Sequence, residues 1–163
     1  MDKIKVVDQS VLIDLEKEAL QSERKRKLLC LHPSHAAPLH SMINVFTKGT
    51  YVAPHRHYFQ DLDNKEVIKG ESFIALKGKG KIITFDDAGK VDEVVHLDAA
   101  KTSMCWIAPE TWHTILPVSD TFIVFENKTG PWDEKSDKNF HAAFPKETDN
   151  DAAKTCLENW EKL

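Results

Sequence analysis

The chain has 163 residues, 41% hydrophobic and 29% charged, values that suit one globular domain with a real core and exclude disordered and fibrous architectures. Its formal net charge of −4 at pH 7 gives no global electrostatic reason to bind nucleic acid or an anionic membrane, so small molecules or proteins are the expected partners. Cys30, Cys105 and Cys156 lie far apart and form no C-x-x-C pair, which excludes a disulfide framework or a cysteine-based zinc knuckle. They read as free thiols. No apolar run approaches the ~20 residues of a membrane span, and the N-terminus leads into no signal-peptide core, so a soluble cytoplasmic protein is expected.

Residues 8–27 carry a helical pattern. Asp8 or Ser10 can cap it, and Leu12, Leu15 and Ala19 recur on one face. The run Arg24-Lys25-Arg26-Lys27 is read as the closing turn, where cations suit the macrodipole, or as a basic lip that meets an anionic ligand. From about residue 39 to residue 127, short segments rich in Val, Ile, Phe and Thr alternate with Gly, Asp, Asn and Pro. Strands are predicted over 41–47, 51–57, 72–77, 81–85, 91–97, 103–107, 113–116 and 121–126, with a hairpin turn at Asp86-Asp87-Ala88-Gly89. Many short strands with no helical pattern between them indicate a β-sandwich or barrel. Thr129-Gly130-Pro131 stops the last strand, and Asp149 or Asn150 can cap a final helix with Ala153, Cys156, Leu157 and Trp160 on one face. The expected organisation is a helix and lead-in over 1–38, a β-barrel over 39–130, and a loop and helix over 131–163.

The histidines carry the chemical signal. His55 and His57 end a predicted strand, and residues two apart on a strand share a face, so their imidazoles form a bidentate chelate for zinc, iron, manganese or nickel. Gly49 precedes this pair, Glu71 and Gly78 follow it, and His113 begins a later strand. Three imidazoles and one carboxylate would leave coordination positions open, as a substrate-binding site requires. Asp61 and Glu66 are alternative carboxylates; Glu71 is favoured because it opens the apolar run Ser72-Phe73-Ile74-Ala75-Leu76 and so has rigid support. Residues 58–70 then form a loop at the cavity mouth, a lid or an inert insertion. Tyr51 shares strand parity with the histidine pair and is expected to face the cavity, with a core aromatic as the alternative. Phe73 shares parity with Glu71 and is expected to line the barrel. By the same parity Arg56 should point away from the ligands, and Trp112 should pack on the face opposite His113. His35 and His40 are expected in exposed loops, and His96 and His141 as structural or solvated.

These residues resemble the cupin superfamily. Its first motif, a glycine, five residues, H-x-H, a gap, a glutamate, six residues and a glycine, matches Gly49, His55, His57, Glu71 and Gly78. The gap of thirteen residues is longer than the three or four typical of cupins. The second motif falls on 108–113 and keeps its histidine, His113, with Pro109 and Glu110 departing from the usual turn. Within cupins the chain is similar to the WbuC-type metalloproteins over about residues 7–145. The likeness runs through Val7-Asp8-Gln9, the basic run leading to Leu31-His32-Pro33, Tyr51 to His57, Glu71-Ser72-Phe73, Thr111 to Thr114, and Gly130-Pro131-Trp132-Asp133. The resemblance implies a single antiparallel jelly-roll barrel with terminal helices. It also implies one divalent transition metal on His55, His57, Glu71 and His113, a homodimer, and a connection with surface polysaccharide.

No nucleophile constellation, phosphate loop or dinucleotide fingerprint competes with the metal reading. The leading expectation is a metal-dependent enzyme or binder of a carbohydrate or sugar-nucleotide intermediate. A non-haem iron dioxygenase of a small acid or thiol and a purely ligand-binding cupin are the alternatives. Tyr51, Phe73 and His32 are the candidate ligand contacts inside, and Arg24 and Arg26 are the candidates for an anionic group.

Overall fold

The computed structural model describes residues 3–60, 66–134 and 137–163. In chain order its elements are α1 (Gln9–Gln21), β1 (Arg26–Cys30), β2 (Leu39–Thr47), β3 (His55–Arg56), β4 (Tyr58–Gln60), β5 (Glu66–Ile68), β6 (Glu71–Lys77), β7 (Lys79–Phe85), β8 (Val91–Asp98), β9 (Met104–Ile107), β10 (Trp112–Pro117), β11 (Thr121–Thr129), β12 (Asn139–Phe140) and α2 (Asn150–Trp160). Two five-stranded sheets, ordered β1-β2-β11-β6-β9 and β12-β3-β10-β7-β8, face each other, and every pairing within them is antiparallel. This is a jelly-roll barrel flanked by two helices.

Alternation decides what each sheet presents inward. Along β6 the residues alternate between buried and partly exposed, which turns Glu71, Phe73 and Ala75 toward the interior. Phe46, Val52, Phe73, Ile82, Leu97, Ile115, Phe122 and Val124 fill the space between the sheets. Phe122 is fully buried, and Gly80 lies so close beneath it that an added Cβ would stand 2.2 Å from the ring. Gly78 links β6 to β7 at φ +76, where a Cβ would also strike the Thr121 carbonyl oxygen. The predicted hairpin forms between β7 and β8, with the Asp86 carboxylate accepting from the backbone N–H groups of Ala88 and Lys90.

Each helix covers one outer face. Asp8 caps α1 by accepting from the N–H groups of Ser10 and Val11, and Leu12, Leu15 and Ala19 pack on Ile43, Val45 and Ile123. Asp149 caps α2, whose Ala153 and Trp160 pack on Tyr51, Ile83, Phe85 and Leu116.

Several expectations need correction. The basic run does not close the first helix, which ends at Gln21 with Ser22 extended. Lys25 turns the chain at φ 53, its carbonyl accepting from Thr47 N and from the Thr50 hydroxyl, and Arg26 opens an edge strand paired with Phe46 to Met42. Cross-strand pairing overrides the helical reading there. The predicted strand over 51–57 is reduced to His55–Arg56, because Pro54 has no N–H to give a ladder. The expected loop over 58–70 contains an antiparallel ribbon in which Tyr58 pairs with Ile68 and Gln60 with Glu66. Asp61 lies outside the described residues.

Candidate metal centre

His55 on β3 and His113 on β10 are direct cross-strand partners, and His57 follows β3 by one residue. Glu71 enters from the first position of β6 in the opposite sheet. One ligand atom from each of these four buried residues lies within 4.8 Å of all the others. The ring centroids of His55 stand 4.6 Å from His113 and 5.1 Å from His57.

Hydrogen bonds behind the rings orient them. Nδ1 of His55 is 2.9 Å from the Ala53 carbonyl oxygen, Nδ1 of His57 is 2.9 Å from that of Asp137, and Nδ1 of His113 is 2.8 Å from that of Thr111. A carbonyl can only accept, so each Nδ1 donates and each Nε2 is turned to the common centre. Burial pushes the pKa values of His55 and His57 downward and favours neutral, ligating imidazoles. Burial would raise the Glu71 carboxyl, but His113 beside it, then His57 and Lys128, outweigh burial and hold it down to about 2.

The fit to a cation is tested by Glu71. Its Oε1 is buried without an aligned hydrogen-bond donor among the described residues, although His113 Nε2 is 2.6 Å away and His57 Nε2 is 3.5 Å away. Close approach of a carboxylate and two imidazoles without hydrogen-bond alignment is what a shared metal ion accounts for. The donor set of three nitrogens and one oxygen suits a divalent transition metal.

The site opens into a cavity of about 790 Å³ lined by Phe73, Ile115, Met42, Phe46 and several polar side chains. Phe73 is therefore where parity placed it. Tyr51 is not: it stacks on Trp160 with centroids 5.6 Å apart, and its hydroxyl donates to the Pro145 carbonyl. The irregular backbone around Pro54 shifts alternation by one residue, so that Val52 rather than Tyr51 shares the interior with the histidines. Arg56 points away from the ligands and stacks 4.4 Å over Trp112, whose indole N–H donates to Asp87.

His32 lines the cavity and stacks on His40 at 4.0 Å. His40 corrects its expected exposure: it is 2% exposed on β2, its Nε2 on the His35 carbonyl. His141 is buried and structural, with Nε2 2.9 Å from the Asp86 carbonyl. Arg24 and Arg26 reach the cavity mouth, where both pair with Glu147 at 2.6 and 2.8 Å; Arg26 also donates to the Tyr51 carbonyl.

The sequence reading missed a buried charge network. Asp137 accepts from Lys69 at 2.8 Å and Lys128 at 2.7 Å, and Lys69 also donates to the Pro131 carbonyl. Its backbone carbonyl holds His57, so the same residue ties the segment after β11 to the candidate ligands. Glu126 also lines the cavity, accepting from Asn44 at 2.7 Å. Burial, then the Glu71 charge, push its carboxyl up to about 7. Glu126 and Lys128 had a signal, since both share inward parity with Phe122 and Val124 on β11.

Residues 7–97 match the protein family described as Domain of unknown function (DUF6016). The chain belongs to this family. No curated protein matches the DUF6016 chain in sequence. Among solved structures it is similar to an uncharacterized conserved protein with a double-stranded β-helix domain from Klebsiella pneumoniae, at 12% identity and TM-score 0.52 over 74% of this chain and 87% of that one. It is similar to the DMSP lyase DddQ from Ruegeria pomeroyi, at 13% identity and TM-score 0.51 over 71% of this chain and 51% of that one. It is similar to CapF bound to the inhibitor 3-isopropenyl-tropolone, at 18% identity and TM-score 0.50 over 70% of this chain and 34% of that one. CapF of Staphylococcus aureus is a capsular polysaccharide assembling protein. The matched part thus spans about a third of CapF and half of the lyase. These likenesses establish the fold, a double-stranded β-helix. No helix among the described residues is long and apolar enough to cross a membrane.

Proposed function

We propose that this DUF6016 chain is a metal-binding cupin that takes an anionic sugar derivative into the barrel, with a divalent transition ion on His55, His57, Glu71 and His113. The observation that carries the reading is the charge of the cavity. Five cationic side chains and five carboxylates line it among the described residues, so a bound divalent ion would leave it net positive. When bound, such an ion would polarise a ligand oxygen or lower the pKa of a bound water. The chain's own residues supply the rest. Phe73 and Ile115 give the cavity apolar walls, His32 and His40 offer ring faces, and Arg24 and Arg26 stand at the mouth.

The WbuC-type resemblance and the structural likeness to CapF support a carbohydrate or sugar nucleotide as the ligand; a cytoplasmic setting belongs to the same reading. Homodimerisation belongs to the same reading, supported by the exposed Met104 and Trp106 on the edge strand β9. The test is isothermal titration of zinc-loaded and metal-stripped chain with a panel of nucleoside diphosphate sugars and uronic acids. Metal-dependent binding of at least one member is expected. Binding of none, or binding indifferent to metal, overturns the reading, and oxygen uptake by an iron-loaded chain with a small acid or thiol would replace it with dioxygenase chemistry.

A further inference from the structure

The cations that line the cavity differ in how they are engaged. Arg24 and Arg26 are tied to Glu147, Lys27 to Glu18 and Lys128 to Asp137. Lys138 lines the same cavity with no hydrogen bond or ion pair among the described residues. It follows Asp137, whose carbonyl accepts from His57, and precedes Asn139 and Phe140, which pair with Arg56 and His55, so the chain sets it at the end of the cavity that holds the four candidate ligands. Its side chain is exposed to the solvent of the open cavity.

The carboxylates around Lys138 are committed elsewhere. Asp137 holds Lys69 and Lys128, Glu71 faces the imidazoles, and Glu126 accepts from Asn44. An ammonium has three donors and no acceptor, so in a water-filled cavity these are satisfied by solvent that an incoming oxyanion can replace. Filling the four-residue site with a divalent ion raises the demand for negative charge at this end of the cavity.

We propose that Lys138 is the second anchor of the cavity's ligand: a carboxylate or phosphate group bridges its ammonium and the ion that His55, His57, Glu71 and His113 would hold. This rests on the metal-binding reading above and adds to it the residue that selects an oxyanion. Neither Arg24 nor Arg26 can do the same, because both are at the mouth and share one carboxylate.

The test uses the full chain loaded with cobalt(II), whose visible bands report a change at the metal. Malonate and inorganic phosphate are titrated separately into wild type, Lys138→Met and Lys138→Arg, after cobalt occupancy and circular dichroism have been matched. Loss of a charge-assisted hydrogen bond should weaken the bound oxyanion by about tenfold or more in Lys138→Met, with Lys138→Arg weakened less. A wild-type response to malonate alone assigns a carboxylate ligand, and one to phosphate alone assigns a phosphate; either supports the proposal when Lys138→Met loses it. Equal affinity in wild type and Lys138→Met overturns it, as does absence of any anion response in cobalt-loaded wild type. Failure of wild type to take up cobalt is a different result, which removes the metal reading and this inference with it.

Discussion

Replacing Asp137 with alanine should unfold more of this protein than any other single charge removal in the barrel. The carboxylate is 1% exposed and accepts from Lys69, whose side chain is fully buried, and from Lys128, whose side chain is 6% exposed. Its loss takes the shared carboxylate from two ammonium groups that are held away from water. Breaking a buried pair costs about 3–5 kcal/mol, because the surviving charge keeps its desolvation penalty without its partner. For a chain of this size that corresponds to a fall in Tm of roughly 10 °C. Burial would raise the Asp137 carboxyl, but His57, Lys128 and Lys69 outweigh it and hold it below the ordinary aspartate value of 3.8. A depressed folded-state pKa stabilises above the unfolded value and is lost as pH falls through the folded one. The gap between wild type and Asp137→Ala should therefore be full at pH 7, persist to about pH 4, and narrow only in stronger acid. Urea denaturation at pH 7 and pH 5 reads it as a lower midpoint with unchanged m. A loss below about 1 kcal/mol at pH 7 would refute the reasoning, since it would mean that the three charges are solvated in the folded state.

Glu126 should give the opposite pH dependence. Its folded pKa, near 7, lies above its ordinary value of 4.5, so its contribution is complete below about pH 4.5 and lost as pH rises through 7; metal-free Glu126→Gln should be the more stable protein at pH 8, by up to about 3 kcal/mol, and parallel wild-type and variant curves from pH 5 to pH 8 would contradict this. Phe122→Ala removes a fully buried ring from between the sheets and should cost about 3–5 kcal/mol in urea; a loss under 1 kcal/mol would mean that the barrel collapses onto the void. The Arg24→Ala/Arg26→Ala double variant should bind inorganic phosphate several-fold more weakly at low salt and show a shallower salt dependence. Unchanged binding at low and moderate salt would confine the two arginines to holding Glu147 at the mouth.

Much of the barrel could be read in the chain because its strands carry Val, Ile, Phe and Thr between turn residues, and pairing needs little more. The four candidate ligands could be read because H-x-H on a strand and Glu71 at the head of an apolar strand place donors on one face. What alternation could not supply was phase across Pro54, which turned Tyr51 toward Trp160 rather than inward. The strand at Arg26–Cys30 was hidden because basic residues are poor strand signals, and only pairing with Met42 to Phe46 makes one. The Lys69–Asp137–Lys128 network was hidden for another reason. Lys69 lies 68 residues before Asp137, Asp137 sits in a polar loop, and nothing in its neighbours marks a buried charge.

The central claim is tested most directly by the metal content of the chain purified without added metal, measured by elemental analysis beside His55→Ala, His113→Ala and the control His96→Ala. The account predicts about one divalent transition ion per chain in wild type and in His96→Ala, and affinity reduced by about tenfold or more in the two ligand variants. Full occupancy in His113→Ala, or its loss on His32→Ala instead, would contradict it.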